Sequence, residues 1–509
     1  MRALLRDGRL AGLVAHWSLL ALVAVTLVIR PLVDASGLPS VAENANAVLA
    51  FVAAASVAAL VAANWSAQTA SVRRATAAFA ALVVATAASW VAGSPRSLAS
   101  LGLGLGLVLL LPGALLLAAV ASASAHGGLD VLLLKLAVLL QVAFGLFQYF
   151  HESVADRAPF AADAVNGTTS HNFWPAFALP AATVLALLVR GSWRTAWPVA
   201  VVTLSVYAEA KAALVVWVPL LLLLAVLSAA RVVRTRLARG DRASSAAEVQ
   251  GLLVVAAAAA VLMGGLAYTP SVEGTWQVFK GHATELDAFA HDQPTAETGT
   301  PAATLRDALT TLGHDVPASP RTFLLGLGPA NSVSHAAEVA ASGGKGSTHL
   351  PAPGPVARLL LGTKGQLQFE DAQSSLLGVW GDLGAVGALL YLLSLGLSAW
   401  AALTVVLARR TDVLRRALMV VLVPLGVLGA SSALDWSEQA SIVLPVALVV
   451  VVAVSSGDEG PLAVGAGDRR KVGSAGARIG GPQPVPQRQP LRREPRRRPR
   501  GGGAPARRA

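Results

Sequence analysis

The stretch TAWPVAVVTLSVYAEAKAALVVWVPLLLLLAVLSAA, residues 195–230, decides the architecture. Its only charges are Glu209 and Lys211, near the middle. As one helix it would run about 54 Å at about 1.5 Å per residue, against a hydrocarbon core of about 30 Å. As two spans, 195–209 and 211–230, it turns at the membrane surface. The choice fixes the orientation of everything that follows. With two spans the chain crosses twelve times, near 11–29, 45–64, 75–93, 99–121, 130–150, 171–190, 195–209, 211–230, 250–268, 384–408, 417–434 and 440–456. Both termini are then cytoplasmic, and 29 of the 40 Lys and Arg residues fall on the inner side. One merged helix would send the arginines of RVVRTRLARGDR, RRTDVLRR and the tail outward, against the positive-inside rule.

Composition agrees with the multi-pass reading. Of the 509 residues 55% are hydrophobic and only 13% charged, and the mean hydropathy is +0.61. Soluble domains carry roughly 25% charged residues. The chain has no cysteine, which excludes disulfides, thiolate metal sites and thiol nucleophiles. The start, MRALLRDGRLAGLVAHWSLLALVAVTLVIR, has the basic head and apolar body of a signal sequence. Its long apolar part and the lack of a nearby cleavage motif make it a retained first helix.

The expected fold is therefore all-α, a polytopic membrane protein of about 12 transmembrane helices. Residues 1–268 hold spans 1–9, residues 269–372 form one large outer loop, and residues 373–456 hold spans 10–12 with their interfacial entry. Residues 457–509 form a basic tail rich in Pro, Gly and Arg, which is expected to be disordered and to lie on anionic lipid. With 13 basic and 4 acidic residues the tail carries most of the net charge of +12. No folded or aromatic partner accompanies that charge, so nucleic acid is not an expected partner. The outer loop includes the helical pattern TPAATLRDALTTLGHDV. Trp, Phe and Leu stand at helical spacing in it, so part of it should pack onto the membrane helices.

Four features on the outer side carry the candidate chemistry. Span 195–209 is short, so Glu209 and Lys211 either line a wet cavity below the surface or snorkel to the interface. In ADRAPFAADAVNGTTSHNFWPAFALP, Arg157 offers a cation for a phosphate, and His171 and Asn172 offer donors at a helix entry, which otherwise is a turn and a cap. Arg306, in LRDALTTLG, is either a bidentate clamp on a diphosphate or an exposed helix arginine. The GLGP that follows makes a turn or, less specifically, a phosphate loop. In QFEDAQSSLLGVWGDLGAVG (368–387), Asp371 and Glu370 are candidate general bases on a sugar hydroxyl, or caps for the incoming helix. The closely spaced small residues after them suit tight helix packing. His335 and His349 are further base candidates. No histidine spacing builds a metal site, and no cofactor is expected.

In order along the chain, NGTTSHNFWPAFALP, AEAKAALVVWVPLLLLL, Arg306 before LLGLGPANS, and QSSLLGVWGDLGAVGALLYL lie around one large outer loop. This arrangement resembles the O-antigen ligase and polymerase family over about residues 140–400. The family consists of bacterial membrane glycosyltransferases acting on polyprenyl-diphosphate-linked glycans. The resemblance implies that Lys211 stands for a membrane-embedded arginine on the diphosphate and that Arg306 is the loop arginine with the same task. Gln373 falls where the family has the histidine that activates the acceptor hydroxyl, Ser374 at its asparagine, and Asp382 at its acid. Lys for Arg keeps the charge but loses the bidentate fork. Gln for His removes a titratable base, so Asp371, then Glu370 and His335, would substitute.

The implied partners are a polyprenyl-diphosphate-linked glycan, membrane lipid and other polysaccharide-assembly proteins. A non-catalytic role in such an assembly is one alternative. A flippase or exporter of lipid-linked glycan is another; it requires paired ionisable groups inside helices, whereas spans 1–4 are nearly chargeless. A further membrane sugar transferase class, with acids in the first outer loop, would have only Asp34 and Glu43 to use.

Overall fold

The computed structural model describes residues 9–36, 41–94, 96–123, 127–156, 175–188, 309–310, 312–342, 374–409, 413–431 and 436–455, with isolated positions between 200 and 230. The chain divides into one compact unit, Met1–Gly460, and the piece Pro461–Ala509, which lies outside the described residues. Among the described residues the structure is helical, without a strand. The helices are α1 (Arg9–Ser36), α2 (Val41–Ala63), α3 (Ala70–Ala92), α4 (Leu98–Leu103), α5 (Leu110–Ala121), α6 (Gly127–Asp156), α7 (Pro175–Leu188), α8 (Pro320–Leu325), α9 (His335–Ser342), α10 (Ser375–Arg409), α11 (Val413–Ala430) and α12 (Ala440–Ser455).

Among the described residues, six helical segments are long and apolar enough to cross a membrane, within α1, α2, α3, α6, α10 and α11. A seventh span exists if α4 and α5 count as one; a π turn at Gly104–Val108 joins them and they bend by 51°. The apolar stretches of α7 and α12 are shorter. The chain is thus a membrane-embedded helical protein. The expected spans 195–209, 211–230 and 250–268 lie outside the described residues, apart from isolated positions. One of these, Trp217, is buried against α11: a Cβ added at Gly426 would come within 2.7 Å of its ring.

Burial sorts the helices. Every residue of α5 is buried, as is α12 from Ile442 onward, and both are apolar on all faces. A helix of that kind belongs at the centre of a bundle. The other spans turn one side inward and leave Trp17, Leu49, Val84, Leu389 and Leu425 exposed, as lipid-facing side chains require. Backbone groups at helix starts are capped by hydroxyls. Thr69 accepts from Val72 N–H at the start of α3, and Ser374 accepts from Leu377 N–H at the start of α10. Capping boxes open α4 (Ser97 with Ser100) and α8 (Ser319 with Thr322).

The bundle has two distinct ends. At one, residues 312–338 dock on the start of α10, the end of α3 and the α4–α5 break. A small apolar core there joins Leu312 and Val316 to Leu327, Val333, Leu377 and Trp380. At the other end, Ser71 of α3 meets Thr404 of α10 at 3.1 Å, and Arg416 of α11 donates to the Val454 carbonyl of α12 at 2.8 Å. A cation at that helix C-terminus meets the negative end of its dipole.

Candidate functional site at the loop end of the bundle

The helix α10 is broken inside its sequence of small residues. Gly384 takes φ 67° and ψ −170°, so the run 375–383 and the remainder form two helices. Such a break frees carbonyls that must find donors. The Gly381 carbonyl accepts from Leu327 N–H at 2.8 Å, and the Asp382 carbonyl from Gly328 N–H at 3.0 Å. The Ser89 hydroxyl of α3 donates to the same Asp382 carbonyl at 2.5 Å.

The side chain of Asp382 is fully buried and holds the rest of this loop. Its Oδ2 accepts from Ala330 N–H at 3.0 Å and from the Ser334 hydroxyl at 2.7 Å. Its Oδ1 accepts from Asn331 N–H at 3.1 Å and Ser332 N–H at 2.9 Å. Three consecutive amides converging on one carboxylate need a tight backbone. Gly326 (φ 76°), Gly328 (φ 102°) and Ala330 (φ 61°) supply it with left-handed conformations. For Ala330 that conformation costs about 1–2 kcal/mol, which the amide it presents to Asp382 offsets.

Glycines on the membrane helices form the slot that receives the loop. A Cβ on Gly93 would lie 2.7 Å from Gly328 Cα, on Gly378 2.6 Å from Ser334 Cα, and on Gly381 2.5 Å from Ser332 Cβ. At Gly104, in the π turn, a Cβ would collide with the Pro329 ring. The small residues Gly378, Gly381 and Gly384 therefore face the loop. The sequence expectation of tight helix packing is corrected for these positions, because it is backbone of 324–334 that needs the close approach.

Immediately after the slot, α9 begins at His335. The His335 Nδ1 lies 2.9 Å from Glu338 Oε2, with both side chains about one-fifth to one-quarter exposed (20% and 24%). Near the start of α9, the Ala336 N–H donates to Glu438 Oε2 at 3.1 Å. Glu438 is fully buried in the 3-10 turn Trp436–Glu438 between α11 and α12. Two buried acids, Asp382 and Glu438, thus tie residues 330–336 to the membrane helices. Ser334 lies against Gly378, five residues beyond Gln373, so His335 stands beside the entry of α10.

Of the candidate residues read from the sequence, the described structure includes Asp382, His335 and Ser374, whose hydroxyl caps α10 and donates to the Ser431 carbonyl. Asp382 faces the loop amides, and His335 faces Glu338. The remaining candidates, Glu370, Asp371, Gln373, Lys211, Arg306, Arg157, His171, Asn172, Glu209 and His349, lie outside the described residues. The GLGP segment makes the turn: the Gly326 N–H closes α8 on the Thr322 carbonyl, the Leu327 and Gly328 amides go to α10 carbonyls, and the amides that follow Pro329 go to the Asp382 carboxylate.

Sequence reasoning overlooked Glu338, Glu438 and a third feature at the opposite end. There His16 of α1 meets Asp130 of α6, Nε2 to Oδ1 at 2.5 Å, with relative exposures of 2% and 0%. A histidine and an aspartate in spans with few other charges were the available signal. Compared with protein-family models, with curated proteins and with solved structures, the chain matches none.

Proposed function

We propose that the chain is a glycosyltransferase of the cytoplasmic membrane, of the O-antigen ligase or polymerase kind. It would take glycan from a polyprenyl-diphosphate carrier on the outer face in surface polysaccharide biosynthesis. The observation that carries this reading is the docking of 326–336 into the glycine slot by Asp382 and Glu438. That docking sets a loop imidazole–carboxylate pair, His335 and Glu338, beside the entry of α10, next in sequence to the acids of QFEDAQ.

The chemistry asked of such a site is modest. An acceptor sugar hydroxyl attacks the anomeric carbon of the donor as its proton passes to a base. The bond from that carbon to the diphosphate oxygen breaks, and the polyprenyl diphosphate departs. In this reading Lys211 and Arg306 hold the diphosphate charge, with Arg157 as a third cation. Asp371 takes the proton, with Glu370 or His335 as the nearest substitutes, and Gln373 orients the acceptor. His171, Asn172 and Glu209 contact glycan or lipid. Asp382 acts at one remove, by holding the loop.

Deletion in the producing cell, with gel analysis of surface glycan and of lipid-linked intermediates, tests the reading. Single lipid-linked units without long chains indicate a polymerase; long chains kept on the lipid indicate a ligase. In the same assay Asp371→Asn should slow transfer by about 10²–10⁴-fold, and Lys211→Ala and Arg306→Ala by about 10²–10³-fold each. Full activity in all three variants refutes the site.

A second reading, export or flipping of lipid-linked glycan, is favoured by the His16–Asp130 pair, since such transport uses ionisable groups inside the bundle. Intermediates accumulating only on the cytoplasmic face would select it. A non-catalytic partner role is favoured by Gln373, which offers no titratable base.

A further inference from the structure

At the end of the bundle away from the loop, α1 packs against α2, α5, α6 and α12. His16 lies about two turns into α1 and Asp130 in the first turn of α6. We infer that His16 and Asp130 form an intramembrane proton-binding site, which takes up one proton from the side of the membrane away from the loop.

Three observations carry this. First, the fold does not need an ionisable pair to join two helices. At the other end of α1, the Asn46 amide of α2 donates to the Thr26 hydroxyl at 2.5 Å, a neutral link of the same length. Placing a carboxylate and an imidazole in a buried apolar setting is far more costly than placing an amide and a hydroxyl. Second, the second carboxylate oxygen, Asp130 Oδ2, is buried and has no hydrogen-bond partner among the described residues. A buried carboxylate short of donors favours a cation beside it, and the adjoining imidazole becomes one by taking up a proton. Third, other charges are few on the described parts of the helices around the pair. Among described side chains of α2, α5 and α12 there is no other titratable group, and on α6 the nearest is Lys135, five residues on from Asp130. Arg9, at the start of α1, is the nearest charge on His16's own helix.

The step is one proton in and one proton out. In the deprotonated form neutral imidazole donates its Nε2 hydrogen to Asp130. Uptake of a proton from water gives an imidazolium–carboxylate pair, and its release restores the first state. No other reactant is needed.

Trp17 supplies the readout. Its ring centroid lies 5.7 Å from that of His16, and its side chain is 58% exposed on the lipid-facing side, so replacing it leaves the core intact. An imidazolium quenches a neighbouring indole more strongly than a neutral imidazole does. The full chain in lipid nanodiscs is titrated across the pH range in which it stays folded. The Trp17 signal is isolated by subtracting the Trp17→Phe protein.

The expected difference is a one-proton transition that vanishes in His16→Gln, which keeps a donor for Asp130, and moves in Asp130→Asn. A flat difference signal in the wild-type chain overturns the proposal, and so does a transition that survives unchanged in His16→Gln. If His16→Gln fails to fold, the midpoint in Asp130→Asn decides: a shift sustains the pair and an unchanged midpoint refutes it. The measurement reads fluorescence and not transfer, so it stands or falls independently of the glycosyltransferase reading.

Discussion

The carboxylate of Asp382 accepts four hydrogen bonds, and all four come from residues 330–334. Each donor is an N–H or an O–H, so the ligand set suits an acceptor-only group. Asp382→Asn keeps the shape but turns one acceptor into a donor that faces other donors. Leaving buried donors unsatisfied costs about 1–3 kcal/mol each. The variant should unfold at a lower temperature in detergent, by an amount equivalent to about 3 kcal/mol. Limited proteolysis should then cut within 326–338, where the wild-type chain resists. Unchanged resistance in the variant would show that the loop is held by something other than this carboxylate. The identity of Asp382 as a special residue was readable from its place in a run of small and apolar residues. That its partners are amides some fifty positions earlier was not, because nothing local to either segment encodes their meeting.

Among the elements, α10 shows how a break is turned to use. A continuous helix through Gly384 would satisfy its own carbonyls and have none for Leu327 and Gly328. The left-handed Gly384 opens the helix at the point where the loop arrives, and Gly326 faces it with its own positive φ. In Gly384→Ala a Cβ would be strained by about 1–2 kcal/mol from conformation alone and would also meet the backbone of Leu324 at 2.6 Å. The expected result is loss of loop docking, read as faster amide hydrogen exchange at 327–334 while the centre of α5 stays protected. Equal exchange in both proteins would mean that the break does not position the loop. Small residues in a membrane helix are commonly read as helix-packing faces, and sequence alone supports that reading. The structure distinguishes the two uses because only it brings the 324–334 backbone to the same face.

For the whole molecule, the two ends differ in kind. One is a loop-filled mouth built on glycine and buried acid, and the other holds the Arg416 cap and the His16–Asp130 pair. The charge distribution of the loops predicts that the mouth faces outward. The absence of native cysteine makes this directly measurable. A single Cys at exposed Ser94, at the mouth, should react with an impermeant maleimide in intact cells. One at exposed Ser66, in the turn between α2 and α3, should react only after permeabilisation. The reverse pattern would invert the orientation and move the proposed transfer site to the cytoplasmic face.

The class of the molecule was determined by sequence alone. In hydrocarbon every backbone amide must be paired within the chain, so repeated apolar runs of bilayer length admit helices and little else. The pairings that make a site were decided only by the tertiary structure. His16 and Asp130 lie 114 residues apart, and Ala336 and Glu438 lie 102 apart. Whether two such groups meet depends on how helices rotate and stack against their neighbours. That is set by the packing of many weak apolar contacts at once, not by any short run of residues.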